Sequence, residues 1–220
     1  MKLLCLLSAE PALNAGMAAP AQWLTPTEAA RLQTLGTEAR RGTFLAGRWL
    51  ARQAVQQWLG ADRLPALTVA DSGACHVAEA AGVFVSISHS AGRVACAVAA
   101  VPVGVDVESL TRPRDHLALT DTVHSAAQRQ HLAALPPEAR AEPFLQAWTL
   151  KEAWLKAREQ GLDFALMRSL AFDDDPQGDV AVATIGDLVL AVAADPQLPP
   201  HLEGPTNAVW RRCRTHRSAT

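Results

Sequence analysis

Two stretches of this sequence place charged side chains where they could do chemistry together. In Gly104-Val105-Asp106-Val107-Glu108, strand alternation sends Asp106 and Glu108 to one face and the valines to the other. Neighbouring carboxylates repel unless a cation lies between them. Mg²⁺ suits that place because it takes few carboxylates and completes its shell with substrate phosphates. A solvated strand end would carry the same two acids. In Trp148-Thr149-Leu150-Lys151-Glu152-Ala153-Trp154-Leu155-Lys156, helical spacing aligns Trp148, Glu152 and Lys156 on one face. A Glu–Lys pair four residues apart is also an ordinary surface pair, contributing about 0.2–0.5 kcal/mol. The tryptophan on the same face points instead to partial burial, which fits a site for a metal and a phosphate.

Two further features concern anions. Ser86-Ile87-Ser88-His89-Ser90 reads as a strand running into a turn, where hydroxyls, an imidazole and free N–H groups can hold a phosphate. A polar hairpin end with a satisfied histidine is the plain alternative. Ser88 and His89 face opposite sides of a strand, which argues against a nucleophile–base pair. Arg41, Arg48 and Arg52 fall within about 40° of one another around a helix. Guanidinium forks match phosphate geometry, although a solvated helix face would look the same.

The elements that must position these residues follow from pattern. Leu3–Leu7 reads as a first strand; its apolar run is too short for a secretory signal. Thr25-Pro26 with Glu28 has capping-box spacing and starts a helix. A second helix is predicted over Arg41–Leu59, stopped by Gly60. Ala70–Gly82 reads as loop. Val83–Ser88, Arg93–Ala100 and Val103–Glu108 read as an antiparallel meander turning at Ser90-Ala91-Gly92 and Val101-Pro102. Thr111–Asp115 is a loop, Ser125–Ala134 a helix, and Phe144–Gln160 the strongest helix. Leu166–Phe172, Val180–Ile185 and Leu188–Ala193 read as strands, and a Pro-rich, then basic, tail follows Asp195. Each half therefore offers helices and a short antiparallel sheet, an α+β plan repeated across residues 1–102 and 103–220.

Composition bounds the function. With 220 residues and 49% hydrophobic content, there is material for a sizeable core. A net charge of −2 is wrong for a nucleic-acid domain, which needs a basic excess. No run approaches the roughly 18 apolar residues of a membrane span. Cys5, Cys75, Cys96 and Cys213 form no CxxC pair, so neither a disulfide framework nor a zinc site is expected and a reducing cytoplasm fits.

Taken together and in this order, Ser-His-Ser, Gly-Val-Asp-Val-Glu and Trp-x-x-Lys-Glu-Ala-x-x-Lys resemble the 4′-phosphopantetheinyl transferases of the Sfp type. The similarity is strong over about 84–162. It implies a monomer of two similar α+β halves with the active site in the cleft between them. It also implies coenzyme A (CoA) as substrate, Mg²⁺ as cofactor and an apo acyl or peptidyl carrier protein as partner. By motif, Asp106, Glu108 and Glu152 would be the metal carboxylates. Glu152, then Glu108, would be the base, and Lys156 would contact the CoA phosphates near the reacting centre. Ser88 and His89 would help hold the phosphates of the adenosine end. Lys151 belongs to the motif, and Arg48 and Arg52 lie where the family places phosphate-binding residues.

The sequence departs from the family pattern in three places. Gly73 is followed by Ala74-Cys75 instead of a basic residue and proline, with His76 the nearest basic substitute. Gln128 stands where a glutamate is common. Glu159 stands where a glycine is usual. Two other readings remain open from residues alone: a different Mg²⁺-dependent phosphate-transfer enzyme, and a non-catalytic CoA- or carrier-binding protein of the same fold.

Overall fold

The computed structural model describes residues 2–70, 74–78 and 80–217. Its layers follow from strands that are buried on both faces. In β5 (Arg93–Ala99), Val94, Cys96 and Val98 pack with α3 (Glu38–Leu59) on one side. Ala95, Ala97 and Ala99 face the opposite way into a second core. β9 (Leu188–Ala194) behaves alike. Val189, Ala191 and Ala193 pack under α6 (Ala141–Ala157), while Leu188, Leu190, Val192 and Ala194 join the same second core as the β5 alanines. A strand covered on both faces must lie inside the stack. The order is helix α3, first sheet, second sheet, helix α6, with small alanines on the inner faces letting the sheets close on each other.

The first sheet runs β10 (His201–Glu203), β1 (Lys2–Ala9), β5, β4 (Phe84–Ser90), β3 (Cys75–Val77), β2 (Leu67–Val69). The second runs β6 (Val103–Ser109), β9, β8 (Val180–Ile185), β11 (Arg211–Arg217), β7 (Leu170–Asp174). This is the α+β architecture expected, with each sheet mainly antiparallel and backed by one long helix.

Capping signals read true. Thr25 Oγ1 accepts from Glu28 N, and the Glu28 carboxylate accepts from Thr25 N at 2.9 Å, opening α2 (Pro26–Thr34). Gly60 ends α3 in the left-handed region at φ 62°, where a side chain is disfavoured. Between α2 and the sequence start lies α1 (Glu10–Gly16).

Several expectations need correction. The meander breaks at Val101-Pro102. β4 and β5 pair as expected, but β6 crosses to the other sheet and pairs with β9, Asp106 opposite Ala191. The edge of β5 that β6 would have taken is filled by β1. Leu166–Phe172 is not one strand. Asp163 accepts from Leu166 N at 2.9 Å and caps a short helix, α7 (Phe164–Ser169), before β7 begins. The stretch 70–82 contains β3, although Gly73 and its neighbours 71 and 72 lie outside the described residues. α4 (His116–Val123) precedes α5 (Ala126–Ala134) and had no clear periodic signal. The basic tail forms β11, inserted between β8 and β7, while β10 runs parallel to β1. The C-terminal segment thus contributes a strand to each sheet and crosses the division at 102/103.

Under α6, His124 is 1% exposed and stacks on Phe144 with ring centroids 5.0 Å apart. Burial, then the nearby Lys151 charge, pushes its pKa down to about 3. Its folded-state pKa therefore lies below the unfolded value of about 6.5. The associated stability is intact above that value and is lost as pH falls, by up to about 1.4 kcal/mol per pH unit. The urea midpoint should drop between pH 7 and pH 5, and less steeply in His124→Phe. Parallel slopes in the two proteins would contradict this.

Candidate active site

β6 turns its valines into the core between the sheets and presents Gly104, Asp106 and Glu108 on the opposite face, beside α6. Gly104 allows the contact. A Cβ there would lie 2.0 Å from Ala153 O and 2.5 Å from Ala157 N, so helix backbone rests directly on the strand. That approach delivers the next turn of α6 to the carboxylates. Lys156 Nζ donates to Asp106 Oδ1 at 2.7 Å and lies 3.8 Å from Glu152 Oε2.

A row of serines on β4 closes the other side. β6 is an edge strand, and its outer N–H groups find hydroxyls instead of a neighbouring strand. Val105 N donates to Ser86 Oγ at 3.1 Å and Val107 N to Ser88 Oγ at 3.3 Å. Ser88 then donates to Asp106 Oδ1 at 2.7 Å, and Ser90 to Glu108 Oε2 at 2.7 Å. The alternation of β4 puts these serines on one face and sends Ile87 and His89 to the other. Ser88 therefore sits among the carboxylates, in contact with Lys156 at 3.4 Å.

Electrostatics mark the same place. Burial raises the pKa of Asp106, with Lys156 opposing. Burial, then the Asp106 charge, raises that of Glu152. Burial works against the Lys156 ammonium, yet Asp106 and Glu152 outweigh it and hold its pKa above the ordinary lysine value. Asp106 Oδ2 is buried and has no hydrogen-bond partner, the condition a cation would relieve. The donor set, three mutually repelling carboxylates with one orphaned oxygen, fits a hard divalent ion. Among the described residues, no three such groups already stand close enough to hold one. Lys156 and Arg114 occupy the carboxylates instead, Arg114 Nη2 lying 2.5 Å from Glu108 Oε2.

Ser88, His89, Asp106, Glu108, Trp148, Glu152 and Lys156 line a cavity of about 240 Å³. His89, Glu152 and Lys156 also line a larger one of about 790 Å³, between the first half and the C-terminal end of α6. Besides Lys156, its cations are Arg31, Arg40 and Arg48. Sequence reading missed Arg31 and Arg40. The signal lay in Arg40, Phe44 and Arg48, spaced at i, i+4 and i+8 on α3, whereas Arg41 donates to Leu35 O on the surface.

Two residues expected at CoA lie elsewhere. Arg52 is 1% exposed, paired with Glu28 at 2.5 Å and stacked on Trp23. The arc it shares with Arg48 holds, but one turn further along α3 is roofed by α2. Lys151 is fully buried and donates to Val123 O at 2.7 Å and Gln128 Oε1 at 2.8 Å. It ties α6 to the α4–α5 junction. Gln128, noted above as a departure, is its partner and also completes the capping box of α5. Arg48 donates to Cys75 Sγ at 2.9 Å. His76 pairs with Glu159 at 3.2 Å, joining β3 to the segment after α6.

A two-sheet α+β molecule with a carboxylate–lysine pocket opening onto an arginine-lined cleft defines the class. Comparison with known proteins then supplies the family. Residues 28–99 match the model of the 4′-phosphopantetheinyl transferase N-terminal domain, and residues 102–195 that of the 4′-phosphopantetheinyl transferase superfamily. The chain belongs to that family. It is 36% identical over 81 residues to a 4′-phosphopantetheinyl transferase of Bacillus pumilus, covering 37% of this chain and 34% of the relative. It is 31% identical over 121 residues to one of Salmonella typhimurium, covering 54% and 59%. A third, from Nostoc, is 29% identical over 145 residues, covering 63% and 61%. The chain thus spans between a third and about three fifths of the length of these curated relatives.

Proposed function

We propose that this protein transfers the 4′-phosphopantetheine arm of CoA to a serine of an apo acyl or peptidyl carrier protein, releasing 3′,5′-ADP, with Mg²⁺ as cofactor. The observation that carries the reading is the convergence of Asp106, Glu108, Glu152 and Lys156 on one small cavity that shares Glu152 and Lys156 with the arginine-lined cleft. The activity for which these relatives are named points the same way.

The larger cavity suits the nucleotide end of CoA, with Arg31, Arg40, Arg48 and His89 as its cationic and polar wall. Asp106, Glu108 and Glu152 would hold Mg²⁺, which would neutralise the diphosphate and the departing ADP. The carrier serine Oγ attacks the β-phosphorus; the new O–P bond forms as the bond to the bridging oxygen of 3′,5′-ADP breaks. Glu152 accepts the serine proton. Its burial raises its basicity above that of an exposed glutamate, and Glu108 is less free for the task because the Ser90 hydroxyl already donates to it at 2.7 Å. Lys156 places a fixed positive charge beside the transferring group. Free, buried cysteines support a reducing compartment such as the cytoplasm, and no described helix is long and apolar enough to cross a membrane.

The test is direct. The purified protein is incubated with CoA, Mg²⁺ and a panel of apo carrier proteins, and the carriers are weighed intact. A gain of one phosphopantetheine, abolished by chelating the metal, is expected. CoA binding without transfer to any carrier would favour a non-catalytic binding protein; 3′,5′-ADP release without a carrier would favour a hydrolase.

A further inference from the structure

The charge balance of the small cavity contains a group that the transfer reaction does not need. Three carboxylates, Asp106, Glu108 and Glu152, face two cations. Lys156 serves Asp106 at 2.7 Å and approaches Glu152 at 3.8 Å. Glu108 is left to Arg114, whose Nη2 lies 2.5 Å from the same Oε2 that accepts the Ser90 hydroxyl. Both side chains are largely buried, at 12% and 16% exposure, so the pair is poorly screened by solvent. Arg114 does not line the small cavity itself; it reaches Glu108 from the loop after β6.

That loop is pinned on both sides of the arginine. Thr111 N donates to Ser109 Oγ at 3.2 Å, and Asp115 accepts from Ala118 N at 3.1 Å to cap α4. Between these anchors the guanidinium hangs on its own flexible stem, so it can leave Glu108 without moving a strand or helix. A divalent ion and a guanidinium make the same electrostatic demand on a carboxylate. Arginine stays protonated at any physiological pH, so it cannot step aside by losing its charge and must be displaced.

We infer that Arg114 is the internal counter-ion of the site: it neutralises Glu108 in the metal-free protein and competes with the entering divalent cation for that carboxylate. The inference rests on the reading of Asp106, Glu108 and Glu152 as the metal carboxylates. Its consequence is order. Metal binding alone is weakened by the competition, and the CoA diphosphate, by adding negative charge, tips the balance. Metal and CoA then strengthen each other's binding, as linkage requires.

Mn²⁺ titration followed by the EPR signal of the free ion, with and without CoA, tests this on the whole chain. Without CoA, Arg114→Gln should bind Mn²⁺ about three- to tenfold more tightly than the wild type, the range of a partly buried ion pair. Arg114→Lys, which keeps charge but loses the planar fork, should fall between. The ratio of affinities with and without CoA should shrink in Arg114→Gln. Glu108→Gln should weaken binding and erase the effect of the arginine substitution. If Glu108→Gln weakens binding but both arginine variants bind Mn²⁺ no better than the wild type, Arg114 orients Glu108 and the inference fails alone. If the wild type binds no Mn²⁺ even with CoA present, or Glu108→Gln leaves binding unchanged, the metal reading fails and takes this one with it.

Discussion

Asp106→Asn should lower kcat/KM for phosphopantetheine transfer by about a thousandfold or more while leaving the circular dichroism spectrum and cooperative unfolding in place. The substitution keeps shape and can retain the Ser88 contact, but removes the charge. Asp106 is the most central of the three carboxylates. It is 5% exposed, shared by Lys156 and Ser88 through one oxygen and unpartnered at the other. An ion polarising a phosphoryl oxygen supplies several kcal/mol to the transition state, and each 1.36 kcal/mol is a factor of about ten. Glu152→Gln should show a loss of similar order carried in kcat. The measurement is transfer to an apo carrier by purified variants; full activity in Asp106→Asn would remove Asp106 from the site.

Gly104→Ala should damage both the fold and the site with a single added methyl group. The added Cβ would overlap Ala153 O at 2.0 Å and Ala157 N at 2.5 Å, both backbone atoms of α6, which no rotamer change can move. The helix must lift off β6. Overpacking of this kind costs about 3 kcal/mol or more. Because Glu152 and Lys156 ride on that helix, they leave Asp106 as it lifts, and misplacement by about 1 Å can cost about a hundredfold in rate. Stability and transfer should therefore fall together. A variant with wild-type Tm and rate would show that the strand and helix are not locked as the distances require.

The chemistry was legible where two periodicities met. Strand alternation put Asp106 and Glu108 on one face, and helical spacing put Glu152 and Lys156 on another, so each pair could be read without knowing the fold. What joins the pairs is Gly104, and its role appears only once α6 lies against it. Arg114 is bound to Glu108 across a loop that has no period, and nothing in the spacing reveals the contact. Arg52 shows the limit of arc arguments: angle around α3 was right, but depth is set by Glu28 and Trp23 arriving from elsewhere. β11 was hidden for a different reason. Only Cys213 in Arg211–Arg217 is fully buried, so its apolar alternation is nearly absent and its place is fixed by pairing with β7 and β8.

The late arrival of that strand bears on how the protein is made. β7 pairs with β11 alone among the described strands, and β11 is the only bridge from β7 to β8. On the ribosome, the first sheet can assemble, lacking only its β10 border, before residues 211–217 emerge. The second sheet must wait for residues 211–217, with β7 holding an open edge throughout. The carboxylate strand β6 already has β9 and the serines of β4 to dock against, so the carboxylate–lysine pocket can form while the far side of its own sheet is still unfinished.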